Sequence, residues 1–146
     1  MNRTESSTAA LRRLNPQEEA KAPILILDDH YPNLIAIEAI LNDPSYELVL
    51  ASSGFEALCH IENREFVVIL SDIRMPIMDG FEFARRARKH PNAQKTPIIL
   101  LTAEPDEIDE ADSFGIVECL CKPLEATIVR NKVAALARLN QQTAQT

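Results

Sequence analysis

Apolar runs alternate with amphipathic stretches along the chain. Aliphatic and β-branched residues dominate five short runs, at 24–27, 46–50, 67–70, 98–101 and 117–120. Three of these runs, ILIL, VVIL and IILL, have no polar alternation, which is typical of parallel strands that are covered on both faces. The run at 46–50 is more mixed and predicts a strand nearer the edge of a sheet.

Helical periodicity occupies the stretches between the runs. The first predicted helix has one apolar stripe, formed by Leu34, Ile37, Ile40 and Leu41. Ser53 with Glu56 forms a capping-box pattern for a second helix, and Asp79 with Glu82 can start a third. A last helix at about 124–139 is expected to bury four residues, Ile128, Val129, Val133 and Leu136. Residues 106–114 predict only a weak helix, because carboxylates dominate them.

A strand followed by a helix, five times over, predicts an α/β fold. We expect a doubly wound, five-stranded parallel sheet, (β/α)5, with right-handed crossovers. Residues 1–22 are polar and are interrupted by a proline, which indicates a flexible leader. Residues 140–146 have no apolar side chain beyond alanine and are expected to form a disordered tail. The predicted domain is therefore 23–139, long enough for one core.

Composition excludes several classes of function. The net charge of −7 disfavours direct binding to nucleic acid, which needs a clustered basic face. No run approaches the roughly 18 apolar residues that span a membrane, and the first residues lack a secretory signal, so we expect a cytoplasmic protein. The three cysteines, Cys59, Cys119 and Cys121, lack paired zinc spacing and fit a reducing compartment.

Polar side chains follow four of the predicted strands. Asp28 and Asp29 follow the first strand, Asp72 the third, Thr102 the fourth and Lys122 the fifth. In doubly wound sheets, ligands bind at the carboxyl ends of the strands. Three carboxylates placed together require a cation, and an oxygen-only site favours Mg2+. Each residue alone has an ordinary structural explanation, such as a helix cap or a surface ion pair, but together they favour phosphoryl chemistry.

Four segments resemble the receiver domains of two-component response regulators, which have a flavodoxin-like fold. They are LDDH at 27–30, SDIRMPIMDGFEF at 71–83, LTAE at 101–104 and CKP at 121–123. The resemblance implies that Asp72 is the phosphoacceptor. It also implies that Mg2+ is bound by Asp28, Asp29, Asp72 and the backbone carbonyl of Arg74.

The same resemblance implies further roles. Thr102 is expected to be the switch hydroxyl, and Lys122 the lysine that binds phosphoryl oxygens and precedes a cis proline. Ala103 matches a position where a small side chain leaves the site open, and Gly80 matches the glycine of the turn into the third helix. A histidine kinase or a histidine phosphotransfer protein would supply the phosphoryl group, and a conformational switch would pass the signal to a downstream protein. The chain would be a phosphoacceptor that assists its own phosphorylation and dephosphorylation, not an enzyme acting on other substrates.

Two positions depart from the pattern of the family. Cys119 stands where the family usually has Tyr or Phe, so a ring-rotation switch is not expected, and the segment after Thr102 is short and acidic. His30, which follows the acidic pair, is expected to be an ordinary exposed loop residue.

Three competing functions are compatible with parts of this sequence. Haloacid-dehalogenase-type phosphatases also form a phosphoaspartate, but they have Asp-x-Asp where this chain has Asp-Asp-His at 28–30. A pseudo-receiver would keep the fold and bind partners without phosphorylation, although the complete set of site residues argues against it. A receiver cut from a longer regulator or hybrid kinase would have the same sequence features as a free-standing one.

Overall fold

Five parallel strands form a single sheet. The computed structural model describes residues 21–104, 115–116 and 118–145. The sheet has the order β2-β1-β3-β4-β5, which confirms both the predicted parallel sheet and the edge position of the second strand. The strands are Ala22–Leu27 (β1), Tyr46–Ala51 (β2), Val68–Asp72 (β3), Ile98–Thr102 (β4) and Glu118–Cys121 (β5).

Helices cover both faces of this sheet. Within the described residues the α-helices are Tyr31–Ile40 (α1), Gly54–Asn63 (α2), Gly80–Ala87 (α3) and Ala126–Gln145 (α4). The predicted starts of α2 and α3 are confirmed, because Ser53 accepts a hydrogen bond from the backbone N–H of Glu56, and Asp79 from that of Glu82. The weak helix predicted at 106–114 lies outside the described residues. In the part of the chain that the structure describes, no helix has the length and apolarity to cross a membrane.

The structure corrects several predicted boundaries. Strand β1 begins at Ala22, two residues before the predicted apolar run, and Ala22 is buried in the sheet. Helix α4 continues to Gln145, beyond the predicted end at 139. Ile128 is exposed, not buried, because Val129, Val133 and Ala137 recur every four residues and form the stripe that faces the sheet. The division into leader, domain and tail otherwise stays a prediction.

The sheet separates two hydrophobic clusters. Alternate residues of the central strands pack on opposite faces, which explains why the runs have no polar positions. One cluster includes Phe83 of α3 and Ile61 of α2, and the other includes Ile37 of α1 and Val133 of α4. All four side chains are almost fully buried. Each such burial stabilises the fold by about 1.5–3 kcal/mol.

The connection from β3 to α3 brings two stretches of backbone into close contact. The N–H of Gly80 donates a hydrogen bond to the carbonyl of Ile73 at 2.8 Å. A Cβ atom at position 80 would lie 2.4 Å from the carbonyl oxygen of Asp72 and 2.9 Å from Cα of Ile73. Glycine therefore lets α3 begin directly against the end of β3. In the same connection Ile77 has a φ of 72° and is 93% exposed, a strained conformation for a β-branched residue.

We predict that Gly80→Ala lowers the free energy of unfolding by about 2 kcal/mol or more, because the new methyl group meets backbone atoms that cannot move aside. Gly54→Ala is the matched control, since its Cβ would meet only the side chain of Met78, with Sδ at 2.5 Å, and a side chain can shift where backbone cannot. That control should cost less than Gly80→Ala. Urea denaturation followed by circular dichroism measures both values, and equal losses would contradict the explanation.

Candidate functional site

The strand register places the predicted site residues at one edge of the sheet. Strands β1 and β3 pair with Leu27 opposite Ser71, so Asp28 and Asp72 follow at the same level. Strand β4 lies beside β3, and Thr102 pairs with Cys121 of β5. The backbone N–H of Lys122 donates to the carbonyl of Thr102 at 2.7 Å. The parallel topology thus brings together residues that are far apart in the sequence.

Lys122 links the two most buried carboxylates. Its Nζ donates a hydrogen bond to Oδ1 of Asp72 at 3.0 Å and lies 3.7 Å from Oδ2 of Asp28. Asp28 is fully buried and Asp72 is 7% exposed. Burial raises the pKa of the Asp72 carboxyl above its ordinary value; the hydrogen bond from Lys122 lowers it, and the charge of Asp28 raises it. The lysine ammonium therefore offsets part of the cost of two adjacent buried carboxylates.

The acidic pair, Asp28 and Asp29, presents oxygens that lack hydrogen-bond donors. Oδ1 of Asp28 accepts a hydrogen bond from the backbone N–H of His30 at 2.9 Å. Oδ2 of Asp28 and Oδ1 of Asp29 are buried and accept no hydrogen bond from any residue that the structure describes. Such oxygens are costly unless a cation or water satisfies them. Carboxylate oxygens are the ligands that a hard divalent cation prefers, so this donor set fits Mg2+.

His30 lies closer to the acidic pair than its sequence position suggested. Its side chain is 71% exposed, as expected for a loop residue, but Nδ1 lies 3.3 Å from Oδ1 of Asp29 and 4.0 Å from Oδ1 of Asp28. Among the described residues, Asp28, Asp29 and His30 form a group whose potential ligand atoms all lie within 4.8 Å of one another. Asp72 is outside this group and pairs instead with Lys122.

Thr102 is buried, and its hydroxyl takes part in a local turn. Oγ1 donates to the carbonyl of Glu104 at 3.1 Å and accepts from the N–H of the same residue at 2.9 Å. The Glu104 carboxylate also accepts a hydrogen bond from Nη2 of Arg74 at 2.9 Å, which links the connections that follow β3 and β4. Sequence reasoning missed this pair, because no local pattern relates residues so far apart. Both side chains are exposed, so the pair contributes little stability.

Two further expectations concern β5 and the residue after it. The Lys122–Pro123 peptide bond is cis, as the resemblance implied. Cys119 is partly buried and packs against the cluster that includes Phe83, so no aromatic ring occupies this position on β5. Ala103 is exposed beside the site.

Several exposed apolar side chains surround the site, and sequence reasoning missed them. Tyr31 follows His30 at the start of α1, Phe55 lies at the start of α2, and Ile77 lies in the connection after β3. Their exposed fractions are 63%, 52% and 93%. Each of them follows the carboxyl end of a strand in the sequence, and the Phe55 ring also lies under the guanidinium of Arg86.

Comparisons with known proteins agree with this geometry. The family model for the response regulator receiver domain matches residues 24–134. The chain is 30% identical over 116 residues to the sensor protein EvgS of Escherichia coli K12, covering 80% of this chain and 10% of that protein. It is 35% identical over 124 residues to the cyclic di-GMP phosphodiesterase response regulator RpfG of Xanthomonas campestris. That match covers 82% of this chain and 33% of that protein. The chain thus spans between a tenth and a third of these curated relatives.

Solved structures show the same architecture. The chemotaxis protein CheY4 of Vibrio cholerae matches with a TM-score of 0.75 and 33% identity, over 80% of this chain and 99% of that one. A second match is the receiver domain of the sensor histidine kinase PA1611 of Pseudomonas aeruginosa, whose active-site cleft holds a magnesium ion. It has a TM-score of 0.72 and 28% identity, over 81% of this chain and 98% of that one. The fold, the carboxylates at the strand ends and the family model all agree. The chain therefore belongs to the response regulator receiver domain family.

Proposed function

We propose that Asp72 accepts a phosphoryl group from the phosphohistidine of a histidine kinase or a histidine phosphotransfer protein, in a Mg2+-dependent step. The observation that carries this proposal is the placement of the Asp72 carboxylate at the carboxyl end of β3, hydrogen-bonded to Lys122 and beside Asp28. Membership of the receiver family supports it. The chain itself is then a phosphoacceptor, not an enzyme that turns over other substrates.

Each side chain at the site has a separate role in phosphoryl transfer. One oxygen of Asp72 bonds to phosphorus as the bond between phosphorus and the donor histidine breaks. Lys122, already 3.0 Å from Oδ1 of Asp72, neutralises charge on the phosphoryl oxygens as they arrive. Burial of Asp28 and Asp72 limits the access of water, so these charges act in a poorly screened environment.

The acidic pair supplies most of the proposed metal site. Asp28, Asp29, Asp72 and the backbone carbonyl of Arg74 would hold Mg2+, and the buried, hydrogen-bond-deficient oxygens of the pair support this set. When bound, Mg2+ supplies positive charge that offsets the charge of the transferring phosphoryl group. The magnesium ion in the cleft of the PA1611 receiver domain supports the same assignment.

Thr102 is the proposed switch residue. Its hydroxyl donates to the carbonyl of Glu104, and that bond can be exchanged for one to a phosphoryl oxygen on Asp72. The exchange would draw the backbone after β4 toward the site and alter the link between Glu104 and Arg74. Since Cys119 occupies the position of the usual aromatic ring, this movement needs no rotating ring.

The surroundings of the site suit a protein donor. The exposed side chains of Tyr31, Phe55 and Ile77, in the segments that follow β1, β2 and β3, offer apolar contact area for such a donor. The net charge of −7 disfavours nucleic acid as a direct partner, and a phosphorelay of this kind operates in the cytoplasm. The receiver would act either alone or as part of a longer regulator or hybrid kinase, and it would pass its signal to a downstream protein.

Mg2+ should stabilise the fold, because it relieves repulsion among the strand-end carboxylates. At a concentration ten times the Kd, the expected gain is about 1.4 kcal/mol, which raises the Tm by several degrees. Differential scanning calorimetry with increasing Mg2+ measures the shift. Asp29→Asn should reduce it, whereas Asp43→Asn, an exposed position on the loop before β2, should not. A Tm that does not change with the Mg2+ concentration would contradict the proposed metal site.

Acetyl phosphate and Mg2+ should add one phosphate to the wild-type protein, as detected by intact-protein mass spectrometry. Asp72→Asn should add none, because an amide is a poor nucleophile toward phosphorus. Asp43→Asn should label like the wild type. Equal labelling of Asp72→Asn and the wild type would show that another residue is the acceptor. Sustained hydrolysis of a generic phosphate monoester would instead indicate a phosphatase.

A further inference from the structure

His30 brings a nitrogen donor to a site otherwise made of oxygen donors. The group formed by Asp28, Asp29 and His30, here called the N/O triad, has its potential ligand atoms within 4.8 Å of one another. The Asp28 side chain in this group is fully buried, and Oδ2 of Asp28 and Oδ1 of Asp29 accept no hydrogen bond from the described residues. Nζ of Lys122 lies 3.7 Å from Oδ2 of Asp28 without a hydrogen bond, and this one ammonium is shared with Asp72. The buried oxygens are therefore a second observation, besides the clustering itself, that indicates a cation.

The spacing of the N/O triad suits one six-coordinate ion. With ligands about 2.1 Å from the metal, neighbouring ligand atoms lie about 3 Å apart and opposite ones about 4.2 Å apart. Nδ1 of His30 lies 3.3 Å from Oδ1 of Asp29 and 4.0 Å from Oδ1 of Asp28, between these two values. The 3.3 Å distance is close to the spacing of neighbouring ligands, so His30 and Asp29 can bind the same cation.

The His30 imidazole lies beside the acidic pair and is not used to cap the helix that follows. The residue precedes α1, and its carbonyl accepts hydrogen bonds from the N–H groups of Asn33 and Leu34. Its side chain makes no capping hydrogen bond to the helix. The backbone N–H of His30 donates to Oδ1 of Asp28, which fixes the loop so that the ring lies beside the carboxylates. The ring therefore lies beside Asp28 and Asp29, and the 71% exposure of the His30 side chain leaves a path for an ion to enter.

We propose that His30 is a ligand of the divalent cation and makes the site prefer first-row transition ions, such as Ni2+ or Co2+, to Mg2+. Imidazole nitrogen suits these ions, whereas Mg2+ prefers oxygen ligands. Ni2+ has the same charge as Mg2+ and also takes six ligands, but it binds most nitrogen and oxygen sites more tightly. The contribution of His30 is therefore the part of the Ni2+ affinity that is lost when the imidazole is removed. The inference rests on the proposed function, because Asp28 and Asp29 are the carboxylates assigned to Mg2+ there.

Isothermal titration calorimetry at pH 8, on protein without a polyhistidine tag, tests the proposal with Mg2+ and Ni2+ as probes. The wild type should bind Ni2+ at least about ten times more tightly than Mg2+, and His30→Ala should weaken Ni2+ binding by about ten-fold or more. Mg2+ binding should change less than about two-fold in that variant. His60→Ala, on α2, is the matched control and should leave both affinities unchanged.

A spectroscopic measurement distinguishes ligation from a merely nearby ring. Co2+ should produce a strongly shifted imidazole proton resonance in the NMR spectrum of the wild type and of His60→Ala, but not of His30→Ala. Ni2+ affinity that does not depend on His30 overturns the proposal. If Mg2+ still binds in that case, the proposed function stands. Conversely, a His30-dependent preference for Ni2+ without phosphorylation of Asp72 supports the ligand assignment and contradicts the proposed function.

Discussion

The ion pair between Lys122 and two buried carboxylates is the interaction on which the site depends. Asp28 and Asp72 end neighbouring parallel strands, so the sheet itself forces their charges together. Water cannot screen them well, because both are buried. The ammonium of Lys122 lies within 4 Å of both carboxylates and supplies the opposite charge. Any phosphoryl group or metal ion that enters the site must therefore alter the contacts that Lys122 already makes.

Backbone contacts determine how firmly these charges are held. Gly80 packs against the carbonyl of Asp72, which fixes the backbone of Asp72 from behind. The carbonyl of Thr102 accepts from the N–H of Lys122, which ties β5 to β4 next to the site. By contrast, the Thr102 hydroxyl forms its hydrogen bonds within its own turn with Glu104. The contacts of Gly80 and Lys122 are thus made by backbone atoms, and those of Thr102 with Glu104 involve a side-chain hydroxyl.

The opposite end of the sheet has its own anchor. Arg88, which follows α3, donates hydrogen bonds to the carbonyls of Ala93, Thr96 and Gly115. Desolvation lowers the pKa of this guanidinium, as expected for a half-buried cation. These bonds connect α3, the turn before β4 and the approach to β5.

The sequence by itself determined the fold class, because uninterrupted apolar runs and helical stripes report burial directly. It also indicated Asp28, Asp29, Asp72, Thr102 and Lys122, since residues that follow strands in such folds meet at one edge of the sheet. Only the tertiary structure decided which of these side chains lie together. Lys122 pairs with Asp72 and Asp28. The N/O triad instead combines the acidic pair with His30 and does not include Asp72. It also decided that Ile128 is exposed and that Arg74 pairs with Glu104. Periodicity records which face of an element is buried, but the distances between side chains on different elements arise only when those elements pack.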